Sequence, residues 1–391
     1  MKKYVIVGNG VAGTTTAENI RINDPTGEII IVTEEKLPFY YRIRLPDFLC
    51  AEVDESGLVA KKKEWYQKNN ISLLLSTKIT GGSIKDKILT SSSGEKIRFD
   101  RLILANGSTP NIPAISGSDK KGVFTLRSIQ DAKDIISHTN DCKKAILIGG
   151  GLLGLEAGNG LKKMGLEITV IEFFPRLLPR QLDKEGARRL QSILEERGFL
   201  FKLGAKTSAI EGNKKIDGAT LESGEFIAAD MVIISAGVSP NLDLAKVLGL
   251  DCGRGIKVDK HMQTIHPDVY AAGDVIEFDG RTYGIWPAAM EQGKIAGTNI
   301  SGGDATYEGT LLSTILKVVG IDLASSGEID EENKYESKIV RSEETYKKVV
   351  IDNGKVIGCI MLGDRKNFNR INKAISTGED ILPELDSLLS L

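Results

Sequence analysis

Two turns of the form G-x-G-x-x-G, about 140 residues apart, each follow an apolar strand and open a helix. Each is answered by a second apolar strand that closes on an acid. These observations predict an α/β protein with two Rossmann-like dinucleotide-binding domains, completed by a small α+β C-terminal domain.

The first unit begins at Tyr4-Val5-Ile6-Val7, an apolar run without alternation, as expected of a parallel strand buried on both faces. Gly8-Asn9-Gly10-Val11-Ala12-Gly13 follows, and Thr14 to Ile22 reads as a helix. Gly8 permits the tight turn, Gly10 lets backbone approach a pyrophosphate, and Gly13 lets the helix pack on the strand. The helix N-terminus offers free N–H groups and a positive dipole end to phosphate. Glu28 to Thr33 is the second strand, ending at Glu34, about 20 residues past the last glycine, where the fold places a carboxylate on a ribose hydroxyl.

Composition narrows the class. With 391 residues the chain should divide into two or three domains with sizeable cores. A hydrophobic content of 41%, a charged content of 27% and a net charge of −2 describe an ordinary globular protein. That balance argues against nucleic acid or an anionic membrane as partner. A strand within three residues of the start argues against a signal peptide, and no apolar run nears the roughly 18 residues of a membrane span. Cys50, Cys142, Cys252 and Cys359 show no paired spacing, which suits a reducing, cytoplasmic location and offers no redox disulfide. His138, His261 and His266 lack ligand spacing, so no metal site is expected.

Further along, Leu37 to Pro46 reads as a loop before a short helix around Asp47 to Cys50, and Lys61 to Asn69 as a helix. Ile71 to Leu75, Lys85 to Thr90 and Lys96 to Phe99 read as short strands, with a hairpin turn at Ser91 to Gly94. Arg101 to Ala105 is a buried strand whose exit, Asn106-Gly107-Ser108-Thr109-Pro110, is a candidate domain crossing. The opening pattern then recurs: strand Lys144 to Ile148, turn Gly149-Gly150-Gly151-Leu152-Leu153-Gly154, helix Leu155 to Met164, and strand Glu167 to Glu172. Glu172 can accept from a ribose 2′-OH and would repel a 2′-phosphate, which favours NADH over NADPH. Arg176 and Arg180 lie just beyond and work against that discrimination.

Asp183 to Arg197 reads as an amphipathic helix, and Phe199 to Leu203, Lys215 to Glu222 and Asp230 to Ser235 as strands. Ala236-Gly237-Val238-Ser239-Pro240-Asn241 repeats the place and composition of the first crossing. Val269 to Asp274 is a short strand with a Gly273-Asp274 end, and Trp286 opens a helix to about Ile300. The expected domains are 1–108 and 230–300 for the first dinucleotide unit, 109–229 for the second, and 301–391 for the tail, with mixed short strands and a terminal helix. From Lys334 to Lys373 the tail holds ten Lys/Arg against five Asp/Glu, an excess suited to docking an acidic partner.

With these blocks in place the chain resembles the FAD-dependent pyridine nucleotide–disulfide oxidoreductases, which share a glutathione reductase-like fold. Within them it is similar to NADH:rubredoxin oxidoreductases and the flavoprotein portion of NADH-dependent nitrite reductases. The residues that carry this are GNGVAG with Glu34, LPFYYRIRL, LILANGSTP, FTLRSIQDA, ILIGGGLLGLEAG, ISAGVSPN, VYAAGDV, WPAAMEQGKIAGTNI and GIDLASSG. The resemblance implies that Gly8 to Gly13 hold the FAD pyrophosphate and Glu34 the adenosine ribose. Arg42 would lie on the flavin's phosphate side, Ile79 would present backbone to adenine, Ala105 and Gly107 would pack against FAD, and Arg127 would reach its phosphates. Gly273 and Asp274 would close that site, with Trp286 beginning the helix beneath the isoalloxazine. Gly149, Gly151, Leu152, Leu153 and Gly154 would hold NADH, with Gly237 at the crossing beside them and Glu156 near the nicotinamide and flavin.

The implied activity passes hydride from NADH to FAD and single electrons to rubredoxin or a similar small acidic iron protein, in a monomer or homodimer. The chemistry rests on the cofactors, so no side chain is assigned as catalytic. The alternatives are an NADH oxidase or peroxidase, the flavoprotein component of a nitrite reductase, and a non-enzymatic flavin-bearing interaction protein. Two departures from the family matter. Cys50 falls a few residues later than the redox cysteine of peroxidase and oxidase relatives, and reads as helix packing. Leu45-Pro46-Asp47 replaces the segment that supplies a lysine partner for Glu156.

Overall fold

The computed structural model describes residues 1–213 and 215–390. Its contacts divide the chain into two units. The first comprises Met1–Arg42, Asp54–Thr109 and Val238–Thr310, and the second Ile43–Val53, Pro110–Gly237 and Leu311–Leu391.

The first unit is built on a parallel five-stranded sheet in the order Val269–Ala271, Arg101–Leu104, Lys3–Val7, Glu28–Val32, Ile71–Leu74. Tyr4, Val5, Ile6 and Val7 are all buried, which is why that strand is apolar throughout rather than alternating. The helices Val11–Asn23 and Trp286–Ile300 pack closely. A Cβ added at Gly293 would sit 2.6 Å from the Ala12 carbonyl, and one at Gly297 2.6 Å from that of Thr16. The spacing Gly293-x-x-x-Gly297 therefore sets this close approach, a signal in the sequence that went unread. A three-stranded antiparallel sheet, Ile79–Ser83, Ile88–Ser91 and Lys96–Arg98, is attached.

The second unit repeats the arrangement, in the order Phe199–Leu203, Glu167–Glu172, Lys144–Ile148, Met231–Ile234, Val123–Phe124, all parallel. Residues 311–390 add a five-stranded antiparallel sheet: Ser313–Val318, Ile321–Gly327, Lys355–Leu362, Tyr346–Asp352, Glu336–Arg341. The helix Phe368–Thr377 buries Phe368, Ile371 and Ala374 in the core of this sheet.

Several expectations are corrected. The boundary expected at 229/230 falls at 237/238, because Met231–Ile234 pairs with Lys144–Ile148 and so belongs to the second sheet. Residues 43–53 group with the second unit and 301–310 with the first. The strand expected at Lys85 starts at Ile88, because Ser83 and Asp86 cap a turn that places Lys87 at positive φ. Its partner Ile79–Ser83 was hidden by Gly81-Gly82. Lys215 to Glu222 shortens to Gly218–Leu221, paired with the unread strand Thr207–Glu211. The tail strands run six to eight residues and form one sheet.

The basic tail is partly paired. Lys334, Lys338, Lys347, Lys348, Arg365 and Arg370, six of the ten cations, are held in ion pairs. Lys347 and Lys348 are fully buried. The other four pair at the surface, with side chains 29–67% exposed, so the excess is partly neutralised locally and of the six only Lys347 and Lys348 are withdrawn from solvent.

Candidate functional site: two dinucleotide cradles

In the first unit the chain leaves Lys3–Val7 through Gly8, at φ +114, where a Cβ would overlap the Ala105 carbonyl. A Cβ at Gly13 would overlap the Gly8 carbonyl. Gly10 meets nothing within 4 Å and caps the helix Val11–Asn23 without a side-chain cap or an acid in the first turn. The N–H groups opening this helix are thus free for an anion, which is what a pyrophosphate needs. Gly273, at φ +87, closes over Ala12, and its N–H donates to Gln292 Oε1 at 2.9 Å. Asp274 accepts from Ser108 Oγ at 2.8 Å. Gly107, at φ +67, has open space beside it, and its carbonyl accepts from Asn241 N–H.

Asn9 is buried within this turn. Its Oδ1 accepts from the Tyr66 hydroxyl at 2.9 Å, and that hydroxyl accepts from Phe39 N–H at 3.1 Å. Burial pushes the Tyr66 phenol up, so it remains a neutral donor. Asn9 Nδ2 and Asn106 Oδ1 are left as buried polar atoms without partners among the described residues. Both lie in the turns that form the cradle, so the residues present fit a polar ligand such as a dinucleotide.

The other expected residues fall as follows. Glu34 is exposed, 3.4 Å from Lys78. Arg42 pairs with Glu35 at 2.8 Å and lies over the Tyr40 ring. Ile79 is the buried first residue of its strand. Trp286 stacks on Tyr41 at 5.7 Å and meets Phe39 at 5.7 Å. Arg127 belongs to the second unit, where its N–H donates to Asp131 Oδ2. Ser108, Gln292, Tyr66 and the aromatic pair Phe39 and Tyr41 were missed in the sequence, because their roles depend on partners far along the chain.

The second cradle repeats the first. A Cβ at Gly149 (φ +113) would overlap the Ser235 carbonyl, and one at Gly154 would lie 2.6 Å from the Gly149 carbonyl. Gly151 has nothing within 4 Å and caps the helix Leu152–Lys163, again without a side-chain cap or an early acid. Leu152 and Leu153 open that helix, and Gly237 leaves the neighbouring strand at φ +85. Glu172 is 7% exposed, and its carboxylate accepts from Gly150 N–H at 2.6 Å and Phe174 N–H at 2.8 Å. Arg176 is turned to other work: its guanidinium donates to Glu331 at 2.5 Å and to the carbonyls of Pro179 and Leu182.

Glu156, on the same helix, accepts from Val319 N–H at 2.6 Å. Burial pushes its carboxyl above the usual range, helped by the charges of Asp47 and Glu52 and opposed by the Val319 bond and Lys163. Lys163 itself pairs with Glu52 at 2.5 Å. The Cys50 thiol lies against the carbonyls of Pro46 and Asp47, and burial raises its pKa. Among the described residues no His, Cys, Asp or Glu group is arranged to hold a metal, and no helix is long and apolar enough to cross a membrane.

Two Rossmann-like units, each with a glycine cradle facing an uncapped helix N-terminus, define a protein that binds two dinucleotides. Comparison with known proteins makes the assignment specific. Residues 2–293 match the pyridine nucleotide-disulphide oxidoreductase family model, and residues 313–379 match the rubredoxin NAD+ reductase C-terminal domain. The chain belongs to the pyridine nucleotide-disulphide oxidoreductase family. It is 36% identical over 384 residues to a nitrite reductase [NAD(P)H] of Bacillus subtilis (strain 168), covering 97% of this chain and 48% of that protein. It is 34% identical over 392 residues to an NADH-rubredoxin oxidoreductase of Clostridium acetobutylicum, covering 99% and 98%. The crystal structure of NADH:rubredoxin oxidoreductase from Clostridium acetobutylicum superposes with a TM-score of 0.81 at 32% identity, over 97% of this chain and 96% of that one. The chain spans about half the length of the first curated relatives it matches.

Proposed function

We propose that this chain is an NADH-dependent flavoprotein oxidoreductase that takes a hydride equivalent from NADH onto FAD and passes electrons singly to a small iron protein of the rubredoxin kind. The observation that carries the reading is the pair of cradles, each with a glycine that leaves space for a pyrophosphate at a helix N-terminus. The match of residues 313–379 to the rubredoxin NAD+ reductase C-terminal domain and the full-length likeness to an NADH-rubredoxin oxidoreductase support the acceptor.

Gly8, Gly10 and Gly13 would hold FAD, with Gly273 and Asp274 fixing the far side. Gly149, Gly151 and Gly154 would hold NADH, with Glu172 accepting from its ribose. Bound FAD supplies a carrier that is loaded with two electrons and unloaded one at a time. The chain's own residues orient and shield: uncapped helix ends bind phosphate, and Gln292 and Ser108 fix Gly273 and Asp274. Glu172 supports NADH over NADPH, because a 2′-phosphate beside a buried carboxylate would meet repulsion and Arg176 is engaged with Glu331, leaving exposed Arg180 as the one of the two arginines that works against this preference.

The oxidase or peroxidase reading is weaker, because the Cys50 thiol is raised by burial and a reactive cysteine needs its thiolate. A second reading has a specific observation behind it: the chain also matches half of a nitrite reductase, and would then be the flavoprotein portion of such an assembly. The test is stopped-flow reduction of the flavin by NADH and NADPH, followed by mixing with rubredoxin, ferredoxin or oxygen. Rubredoxin should reoxidise the flavin faster than oxygen does. Reoxidation no faster than by oxygen removes the proposed acceptor.

A further inference from the structure

The turn Gly8-Asn9-Gly10 needs its glycines for shape, and nothing in that shape calls for an amide between them. The fold nevertheless buries one. Asn9 is 9% exposed, and Tyr66, from the helix Lys63–Lys68, is 2% exposed. The Tyr66 ring is held edge-on by Trp65, 4.8 Å between centroids and 90° between planes. Its hydroxyl joins two segments, accepting from Phe39 N–H at 3.1 Å and donating to Asn9 at 2.9 Å. The second cradle has Gly150 at the matching place, with its N–H on Glu172, so the amide is peculiar to the first.

The polarity of these bonds is forced. A backbone N–H can only donate, so the Tyr66 hydroxyl is the acceptor from Phe39. One proton remains on that hydroxyl, and it goes to Asn9. The Asn9 atom facing Tyr66 must therefore accept, which makes it Oδ1. The amide is planar, so Nδ2 is turned away from Tyr66, and it is a buried donor without a partner among the described residues. Such a donor is costly unless a ligand accepts from it. Open space lies beside the next residue, Gly10, at the uncapped N-terminus of the helix Val11–Asn23. The other amide of this cradle is set the opposite way: Asn106 Nδ2 donates to the Asn241 carbonyl and Oδ1 is the atom left over. Of the two, Asn9 is the one presented as a donor, which is what an anion needs.

We propose that Tyr66 is a positioning residue for the first cradle: its one free proton fixes the Asn9 amide so that Nδ2 donates to an oxygen of the bound dinucleotide's pyrophosphate. This rests on the assignment of FAD to that cradle. Because Phe39 supplies the bond that sets the polarity, the loop whose Phe39 and Tyr41 rings meet Trp286 is tied to the phosphate turn through one hydroxyl. Removing a hydrogen bond to a charged acceptor corresponds to a loss of about 10- to 150-fold in affinity. Removing the neutral bond that fixes the amide corresponds to about 2- to 12-fold.

The experiment titrates FAD into the full-length, flavin-free chain by flavin fluorescence, with Asn9→Ala, Asn9→Asp, Tyr66→Phe and the double substitution Asn9→Ala with Tyr66→Phe. Phosphorus NMR of the FAD-loaded chains reads the pyrophosphate directly. The expected result is an FAD dissociation constant raised about 10- to 150-fold by Asn9→Ala and about 2- to 12-fold by Tyr66→Phe. Tyr66→Phe should cost nothing further once Asn9 is Ala, because it acts through that amide. Asn9→Asp keeps the acceptor for Tyr66 and replaces the donor by an oxygen, so it should lose at least as much as Asn9→Ala. The pyrophosphate resonances should shift in Asn9→Ala and in Tyr66→Phe. Parent affinity in Asn9→Asp overturns the proposal, because it marks a merely structural amide. An equal cost of Tyr66→Phe in both backgrounds overturns it too, as do unshifted pyrophosphate resonances. Should Asn9→Ala fail to fold, Asn9→Asp and Tyr66→Phe carry the same decision. Failure of the unsubstituted chain to bind FAD would instead remove the assignment of the cradle itself, and the positioning role with it.

Discussion

Replacing Glu156 separates its charge from its hydrogen bond. The carboxylate accepts from Val319 N–H at 2.6 Å. Val319 sits at φ +52 in the two-residue turn between Ser313–Val318 and Ile321–Gly327, and its carbonyl accepts from Arg197. Burial is the largest influence on Glu156 and pushes its pKa above the ordinary value of 4.5. An acid raised on folding binds its proton more tightly in the folded state. Its stabilising contribution is therefore complete below the unfolded pKa and is lost as pH rises through the folded one. Glu156→Gln keeps the acceptor and removes that loss, so its stability relative to the parent should grow with pH above 4.5. Glu156→Ala strands a half-buried N–H and should cost about 1–3 kcal/mol relative to Gln. Urea unfolding of the parent, Gln and Ala chains at pH 5 and pH 8 reads both effects. A Gln-minus-parent difference that stays flat with pH refutes the charge argument, and an Ala variant as stable as Gln refutes the hydrogen-bond argument.

Two further perturbations test the cradle and the core. Gly8→Ala should fold poorly, because its Cβ overlaps the Ala105 carbonyl at a positive φ, whereas Gly10→Ala meets no protein atom within 4 Å and should fold yet retain flavin weakly. The flavin-to-protein ratio of purified chains, beside their melting curves, distinguishes the two; equal flavin content in Gly10→Ala and the parent would show that the pyrophosphate does not approach there. Lys348 is 1% exposed in its side chain, with Asp183 at 3.3 Å and Asp330 at 3.6 Å. Lys348→Met therefore leaves two buried carboxylates without their cation, held by the Tyr346 hydroxyl and Gly186 N–H on Asp183 and by Lys334 N–H on Asp330, and should cost about 3–5 kcal/mol. A urea midpoint that fails to fall in that variant would mean the hydrogen bonds to Asp183 and Asp330 suffice without the lysine.

The parts legible in the sequence were those fixed by local backbone. A strand buried on both faces must be uniformly apolar, a turn at Gly8 or Gly149 must lack a Cβ, and an acid must close the next strand, so each cradle announces itself within about 25 residues. The boundary between units was not legible, because Met231–Ile234 reads the same whichever sheet takes it, and only its pairing with Lys144–Ile148 decides. The burial of two tail lysines was not legible for a related reason. Adjacent lysines on a strand point to opposite faces, so Lys347-Lys348 suggests at least one exposed charge. Both are buried, because Asp364 meets Lys347 at 2.6 Å while Asp183, about 165 residues upstream, and Asp330 meet Lys348. Charge counted along a chain cannot reveal partners supplied from so far away.

The same distance argument explains the segment that departs from the family. Leu45-Pro46-Asp47 builds the short helix Leu45–Leu49, and its residues group with the second unit. There the Pro46 carbonyl lies 2.9 Å from where a Cβ on Gly160 would stand, and Glu52 pairs with Lys163 on the same helix. Gly160 is therefore small because Pro46 presses on the nucleotide-binding helix, and the segment acts as its brace. Cys50 ends this brace with its thiol against the carbonyls of Pro46 and Asp47. A thiol held that way caps a helix, and burial raises its pKa, which disfavours the reactive thiolate. With its cysteine segment turned into a support, the function proposed above would have electrons leave directly from bound flavin to an acceptor outside the chain.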